Sequence, residues 1–143
     1  PPIKTPADIT RFTLIEAGDA HRTHLEWLTW RRWFEVNGQE RAQPKRWLYF
    51  NYAYQMVQAA LTGQGVVLAR SSLIAESLAN GDLIEVLPQH RMDSPMSYWL
   101  IAGPRSALRP EIKAFWDWLL AQAGTTRETI GEVPDPDTID NMD

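Results

Sequence analysis

The chain has 143 residues, 44% of them hydrophobic and 22% charged, which is enough apolar material for one ordinary globular domain and short for two. It has no Cys, so disulfides, thiolate metal sites and cysteine nucleophiles are excluded and a reducing compartment is permitted. From Gly124 onward one basic residue, Arg127, stands against six acidic ones, leaving a near-neutral body of 13 basic and 12 acidic residues without the cation surplus of a non-specific nucleic-acid binder.

Thr5 ahead of Pro6 places a capping hydroxyl before a first-turn proline, which predicts a short helix to about Arg11. Thr13-Leu14-Ile15-Glu16 reads as a strand. Residues 23–37 carry Leu25, Leu28, Trp30, Trp33 and Phe34 as one helical stripe, ended by Gly38. After a polar, Pro44-interrupted segment, Trp47-Leu48-Tyr49-Phe50 has the aromatic density of a buried strand. Asn51 is placed to cap a helix over 52–62, whose Met56, Val57, Ala60 and Leu61 face a sheet and which Gly63 stops.

Gly65-Val66-Val67-Leu68-Ala69 is a further apolar strand, and Ser71 and Ser72 offer caps to a helix carrying Leu73, Ile74 and Leu78. Another strand is expected at 83–87, which completes a βαβαβαβ order. Such alternation predicts a parallel α/β sheet covered on both faces, because parallel neighbours need crossover connections. A longer strand at 96–102 and a helix at 110–122 follow, the latter with Ile112, Phe115, Trp116, Leu119 and Leu120 on one wide face. The acidic stretch 124–143 has few large apolar residues and is expected to be a disordered tail.

No GxGxxG after a strand, Walker loop, HExxH, GxSxG or kinase signature is present, so no catalytic residue, metal or cofactor is assigned. His21 and His24 are spaced for one helical face but lack a third ligand nearby, and His90 reads as a solvated loop residue. Trp27, Trp30 and Trp33, with Arg31 and Arg32, would suit base stacking; their periodicity favours helix-to-sheet packing with the arginines outward. In open parallel sheets ligands sit beyond the carboxyl ends of strands. Those ends carry Glu16, Asn51, Tyr52, Arg70, Ser71 and Ser72, which either meet a ligand or, for Asn51 and the serines, only cap helices.

Taken in order, Thr5-Pro6-Ala7-Asp8-Ile9, Trp30-Arg31-Arg32-Trp33-Phe34, Gln58-Ala59-Ala60-Leu61-Thr62-Gly63-Gln64-Gly65-Val66-Val67-Leu68, Leu78-Ala79-Asn80-Gly81-Asp82-Leu83, Tyr98-Trp99-Leu100 and Phe115-Trp116-Asp117-Trp118-Leu119 resemble the effector-binding domain of LysR-type transcriptional regulators. The likeness covers about residues 3–123 and is strongest to the glycine-cleavage-activator-like subgroup. It implies a type 2 periplasmic-binding-protein-like fold, with 10–94 as the second lobe and 95–123 returning to the first. A small effector, an anion among the candidates, would bind between the lobes. It implies that Asn51, Tyr52 and the 70–72 turn stand at the rim of the cleft; with Glu16 from the strand ends, the expected ligand-binding residues are Glu16, Asn51, Tyr52, Arg70 and Ser72. Many relatives have Pro where Arg70 stands; a guanidinium there would clamp a carboxylate or point to solvent.

The resemblance further implies a non-enzymatic cytoplasmic sensor acting in a homo-oligomer, a dimer in the first instance, with DNA contacted only through an N-terminal winged helix-turn-helix. That domain, a linker helix and the first half of the first lobe would be missing from these residues, leaving the apolar face of helix 110–122 to be covered by another copy or by further chain. No apolar run reaches about 20 residues and the opening lacks signal-peptide features, so no membrane or export role is expected. A solute-binding protein of a transport system shares the fold type and is the alternative. A small enzyme with Glu16 or His21 as base is the third reading.

Overall fold

The computed structural model describes residues 2–18, 26–105 and 109–132, and the chain divides into two compact units, Pro1–Met96 and Ser97–Asp143. The first unit opens with a 3-10 helix at Pro6–Arg11, within the limits its Thr-Pro start predicts. Its start is held chiefly by Asp8, whose carboxylate accepts the Lys4 and Thr5 N–H groups at 3.0 and 2.9 Å, and the Thr5 hydroxyl at 3.0 Å. Those two backbone donors, then the hydroxyl and the Arg11 charge, hold the Asp8 carboxyl below its ordinary value.

Strands β1 (Thr13–Ala17), β2 (Arg46–Phe50) and β3 (Val66–Val67) form a parallel sheet in the order β2-β1-β3. Leu14 lies opposite Trp47 and Val66, and Ile15 opposite Leu48 and Val67. Side chains alternate across a strand, so the Leu14 and Ile15 rows face opposite sides. On the Leu14 side, helix α1 (Trp30–Val36) buries Trp30, Trp33 and Phe34 together with Ile9 and Leu87, and Trp47, Val66 and Leu68 pack against this cluster. Trp30 and Trp33 meet edge to face at 5.3 Å. Helix α2 (Ala53–Leu61) runs against all three strands, and its Met56 and Val57 share a wall with Ile15 and Val67. Gly65 permits the close approach of β3 to β1, because a Cβ there would sit 2.4 Å from the Thr13 carbonyl oxygen.

The Trp periodicity thus reports packing, with Trp30 and Trp33 inward and Arg31 and Arg32 exposed. The helix expected over 23–37 is shorter and broken. Residues 19–25, and with them His21 and His24, lie outside the described residues; Glu26–Leu28 is a 3-10 turn. Thr29 then starts α1 by accepting the Arg32 N–H on its hydroxyl at 3.1 Å. The cap positions also differ from expectation. Tyr52 is the N-cap of α2 and Arg70 that of α3 (Ser71–Ala79), neither capping its helix through a side-chain hydrogen bond, so Asn51, Ser71 and Ser72 do not occupy these N-cap positions.

Among the described residues two expected strands do not form. Residues 83–87 join no sheet; Val86 and Leu87 deliver their side chains to the α1 cluster while Ile84 is exposed, so burial is achieved without ladder pairing. The segment is pinned by Arg91, which donates from Nε and Nη2 to the two Glu85 oxygens, each at 2.6 Å, and holds the Glu85 carboxyl below its ordinary range. His90 is not simply solvated: its carbonyl accepts the Trp33 indole N–H at 2.9 Å and its Nδ1 lies 2.5 Å from Asn37 Oδ1.

Residues 96–102 also lie in no sheet, with Met96, Tyr98, Trp99, Leu100 and Ile101 exposed. A strand requires a partner for its backbone groups, and among the described residues this segment has no ladder partner. Among the described residues the βαβαβαβ order therefore reduces to three paired strands.

In the second unit, helix α4 (Pro110–Ile130) begins at the expected proline and continues well beyond Gln122. The hydroxyls of Thr125, Thr126 and Thr129 bond back to carbonyls four residues earlier, and Gly131, at φ 72°, ends the helix in the left-handed region. Residues 124–130 are therefore helical rather than part of a disordered tail, and 133–143 lie outside the described residues. Phe115, Trp118 and Leu120 are more than half exposed, Phe115 and Trp118 stacking on each other at 5.9 Å.

Candidate functional site

Parallel strands end together, so the residues following β1, β2 and β3 converge at one edge of the sheet. The last paired residues of β1 and β2 are Ala17 and Phe50, and the Gly18 N–H extends the ladder by donating to the Phe50 carbonyl at 2.8 Å. Asn51 follows, with its Oδ1 beside Gly18. Past β3 the chain turns through Arg70 into α3.

Between these ends lies a pocket of about 190 Å³ whose charged and amide groups are Glu16, Asn51 and Arg70. Leu28, Trp30, Met56, Val57 and Leu73 supply apolar walls. Glu16 is only 4% exposed, yet its Oε1 accepts the Trp30 backbone N–H at 2.8 Å, and the Trp30 indole N–H donates to the Ile15 carbonyl at 3.0 Å. Helix α1 is thereby fastened to β1 at the pocket. Burial, reinforced by the nearby Glu16 charge, pushes the Tyr49 hydroxyl above its ordinary pKa of 10.0.

Of the five residues singled out in the sequence, Glu16, Asn51 and Arg70 line this pocket. Tyr52 is not in its lining: it is 62% exposed and stacks on Tyr54 at 6.0 Å. Ser72 is exposed on the first turn of α3, also outside the lining. The walls contributed by Met56 and Val57 were legible only as sheet-facing apolar positions, and Leu73 only as an apolar residue of a helix. Among the described residues no group of His, Asp or Glu is placed to hold a metal ion, and no described helix is long and apolar enough to cross a membrane.

An open parallel sheet flanked by helices, with a pocket beyond its strand ends, defines the first unit as an α/β domain of the open-sheet class. The chain belongs to the LysR substrate binding domain family, whose model matches residues 1–124. It is 30% identical over 131 residues to the glycine cleavage system transcriptional activator of Escherichia coli strain K12, covering 89% of this chain and 39% of that protein. It is similar to the HTH-type transcriptional activator AmpR of Pseudomonas aeruginosa, at 30% identity over 85% of this chain and 38% of that one. AmpR of Enterobacter cloacae is 27% identical over 82% and 38%. The chain thus spans about two fifths of the length of these relatives. No solved structure matches it.

Proposed function

We propose that this chain is the C-terminal part of the effector-sensing domain of a LysR-type transcriptional regulator, and that a small effector binds in the pocket over the strand ends. The observation that carries this reading is the gathering of Glu16, Asn51 and Arg70 around one space with apolar walls. In this reading the first unit is the second lobe of a type 2 periplasmic-binding-protein-like fold. Residues 96–102 and α4 belong with the first lobe, where the exposed Trp99 and Ile101 would be covered. The effector acts by linkage: it favours one lobe arrangement and so biases the geometry of the attached DNA-binding dimer. The parent protein works in the cytoplasm as a homodimer and contacts DNA through its N-terminal domain.

The relatives named above are transcriptional regulators, and none of those names points to transport or catalysis. Glu16 is engaged in holding α1, which suits a positioning and recognition role better than that of a catalytic base. The test is a titration of the ¹⁵N-labelled chain with a panel of small metabolites. Saturable shifts of the Gly18, Asn51 and Arg70 amides are expected for at least one compound class. Saturable binding that leaves these amides unmoved and shifts residues elsewhere overturns the placement.

A further inference from the structure

Helix α1 is held at both ends by groups distant in sequence. At its start Glu16 Oε1 accepts the Trp30 backbone N–H at 2.8 Å and the Ile15 carbonyl accepts the Trp30 indole N–H at 3.0 Å, and Trp30 lines the pocket over the strand ends. At its other end the Trp33 indole N–H donates to the His90 carbonyl at 2.9 Å. Asn37, the C-cap, donates its side-chain amide to the Trp33 carbonyl at 2.8 Å, which turns its Oδ1 to His90 Nδ1, 2.5 Å away. Positions 33 and 37 share one helical face, so the backbone and the ring of His90 are gripped together.

The body between these attachments is stiff. Helix α1 has seven residues, about two turns, and its buried Trp30, Trp33 and Phe34 rings pack on one another with centroids 5.3, 5.4 and 5.9 Å apart. Close-packed elements of this kind shift as units and do not deform smoothly. A displacement of Trp30 is therefore carried to Trp33 and Asn37, and through them to His90. The Arg91–Glu85 pair closes 85–91 on itself, so a pull on His90 is shared by that stretch, which lies just ahead of Met96, where the first unit ends.

We propose that α1 couples the pocket over the strand ends to residues 85–91, with Trp33 and Asn37 as the positioning residues at its far end. Pocket occupancy that repositions Trp30 then reaches the stretch through which the chain leaves the first unit. The coupling is a property of the folded chain and is measured without ligand, so its failure leaves the effector-site reading standing.

The experiment follows hydrogen exchange of the full ¹⁵N-labelled chain at the Trp30 and Trp33 indole N–H groups and at the His90 amide, which bonds the Leu87 carbonyl at 2.9 Å. The Thr62 and Gly63 amides, bonded at the end of α2, are the controls. Glu16→Gln weakens the hold on Trp30. It is expected to accelerate exchange at the Trp33 indole and the His90 amide by about threefold or more, the scale of coupling within one contact network, with the controls unchanged. Asn37→Ala loosens the far end, outside the pocket lining, and by reciprocity is expected to accelerate the Trp30 indole. Trp33→Phe removes the link, so adding Glu16→Gln in that background should leave the His90 amide where Trp33→Phe alone puts it. If Glu16→Gln accelerates the Trp30 indole while the Trp33 indole and the His90 amide keep their rates, the coupling is overturned. Equal acceleration of the controls also overturns it, as a general loss of stability. Asn37→Ala read at the Trp30 indole decides the matter if Glu16→Gln fails to fold.

Discussion

The Glu16 carboxylate accepts the backbone N–H of Trp30 at 2.8 Å, across fourteen residues of sequence. The next residue back along β1, Ile15, accepts the Trp30 indole N–H on its carbonyl at 3.0 Å. Consecutive residues of the central strand therefore fix both the start of α1 and the orientation of its first side chain. The N–H groups of a helix's first turn have no partner within the helix, and here one is satisfied by a side chain from the sheet.

Removing that acceptor exposes its worth. Glu16→Ala leaves the Trp30 N–H buried without its partner and is expected to cost about 1–3 kcal/mol, with Glu16→Gln costing less because an amide oxygen remains. Urea unfolding of both variants checks this; equal losses would show that the hydrogen bond is not the source.

The Trp33 indole N–H donates to the His90 carbonyl at 2.9 Å and ties the 83–92 segment to α1. Trp33→Phe keeps an aromatic ring and deletes the donor, with an expected loss of about 1–2 kcal/mol. Amide exchange should accelerate at residues 87–92 more than in β1, and uniform acceleration would contradict a local tie.

Gly65 and Gly124 should respond oppositely to Ala. At Gly65 the new Cβ would sit 2.4 Å from the Thr13 carbonyl oxygen, so β3 must move from β1, with an expected loss of about 2 kcal/mol or more. At Gly124, inside α4, an added Cβ would meet no atom of the described residues outside the helix's own backbone within 4 Å, and Ala is expected to stabilise that helix by about 0.5–1 kcal/mol. Circular dichroism melts of the two variants give the signs.

Glu85 titrates below its ordinary 4.5, chiefly because Arg91 hydrogen-bonds its charged form. A depressed folded value means that the contribution to stability is complete above pH 4.5 and is lost as pH falls through the lower folded value. The pair is partly solvated, with the two side chains 43% and 32% exposed, so the effect is small. Arg91→Gln should move the Glu85 carboxyl resonance titration back toward 4.5 and flatten the acid limb of stability; an unchanged titration would remove Arg91 as the cause.

Much of the candidate site was legible before the fold was known. Parallel strands separated by helices must end at one edge, so Glu16, Asn51 and Arg70 were identifiable as strand-end polar residues. Tyr52 and Ser72 stand just as near those ends in sequence, yet the backbone at the starts of α2 and α3 places them outside the pocket lining. One residue of chain advance changes which way a side chain points, and local pattern carries no record of it.

Local patterning by itself determined the alternation of strand and helix as far as α3, the inward face of Trp30 and Trp33, the start at Pro110 and the strand-end positions of Glu16, Asn51 and Arg70, because each follows from periodicity and turn chemistry within a few residues. The tertiary structure alone decided that 83–87 is buried without pairing, that 96–102 joins no sheet among the described residues, and that Glu16 holds the start of α1. Apolar strand-like segments look alike in sequence. Whether one becomes a strand depends on a neighbour whose backbone groups can meet its own, and that neighbour is supplied by distant parts of the chain.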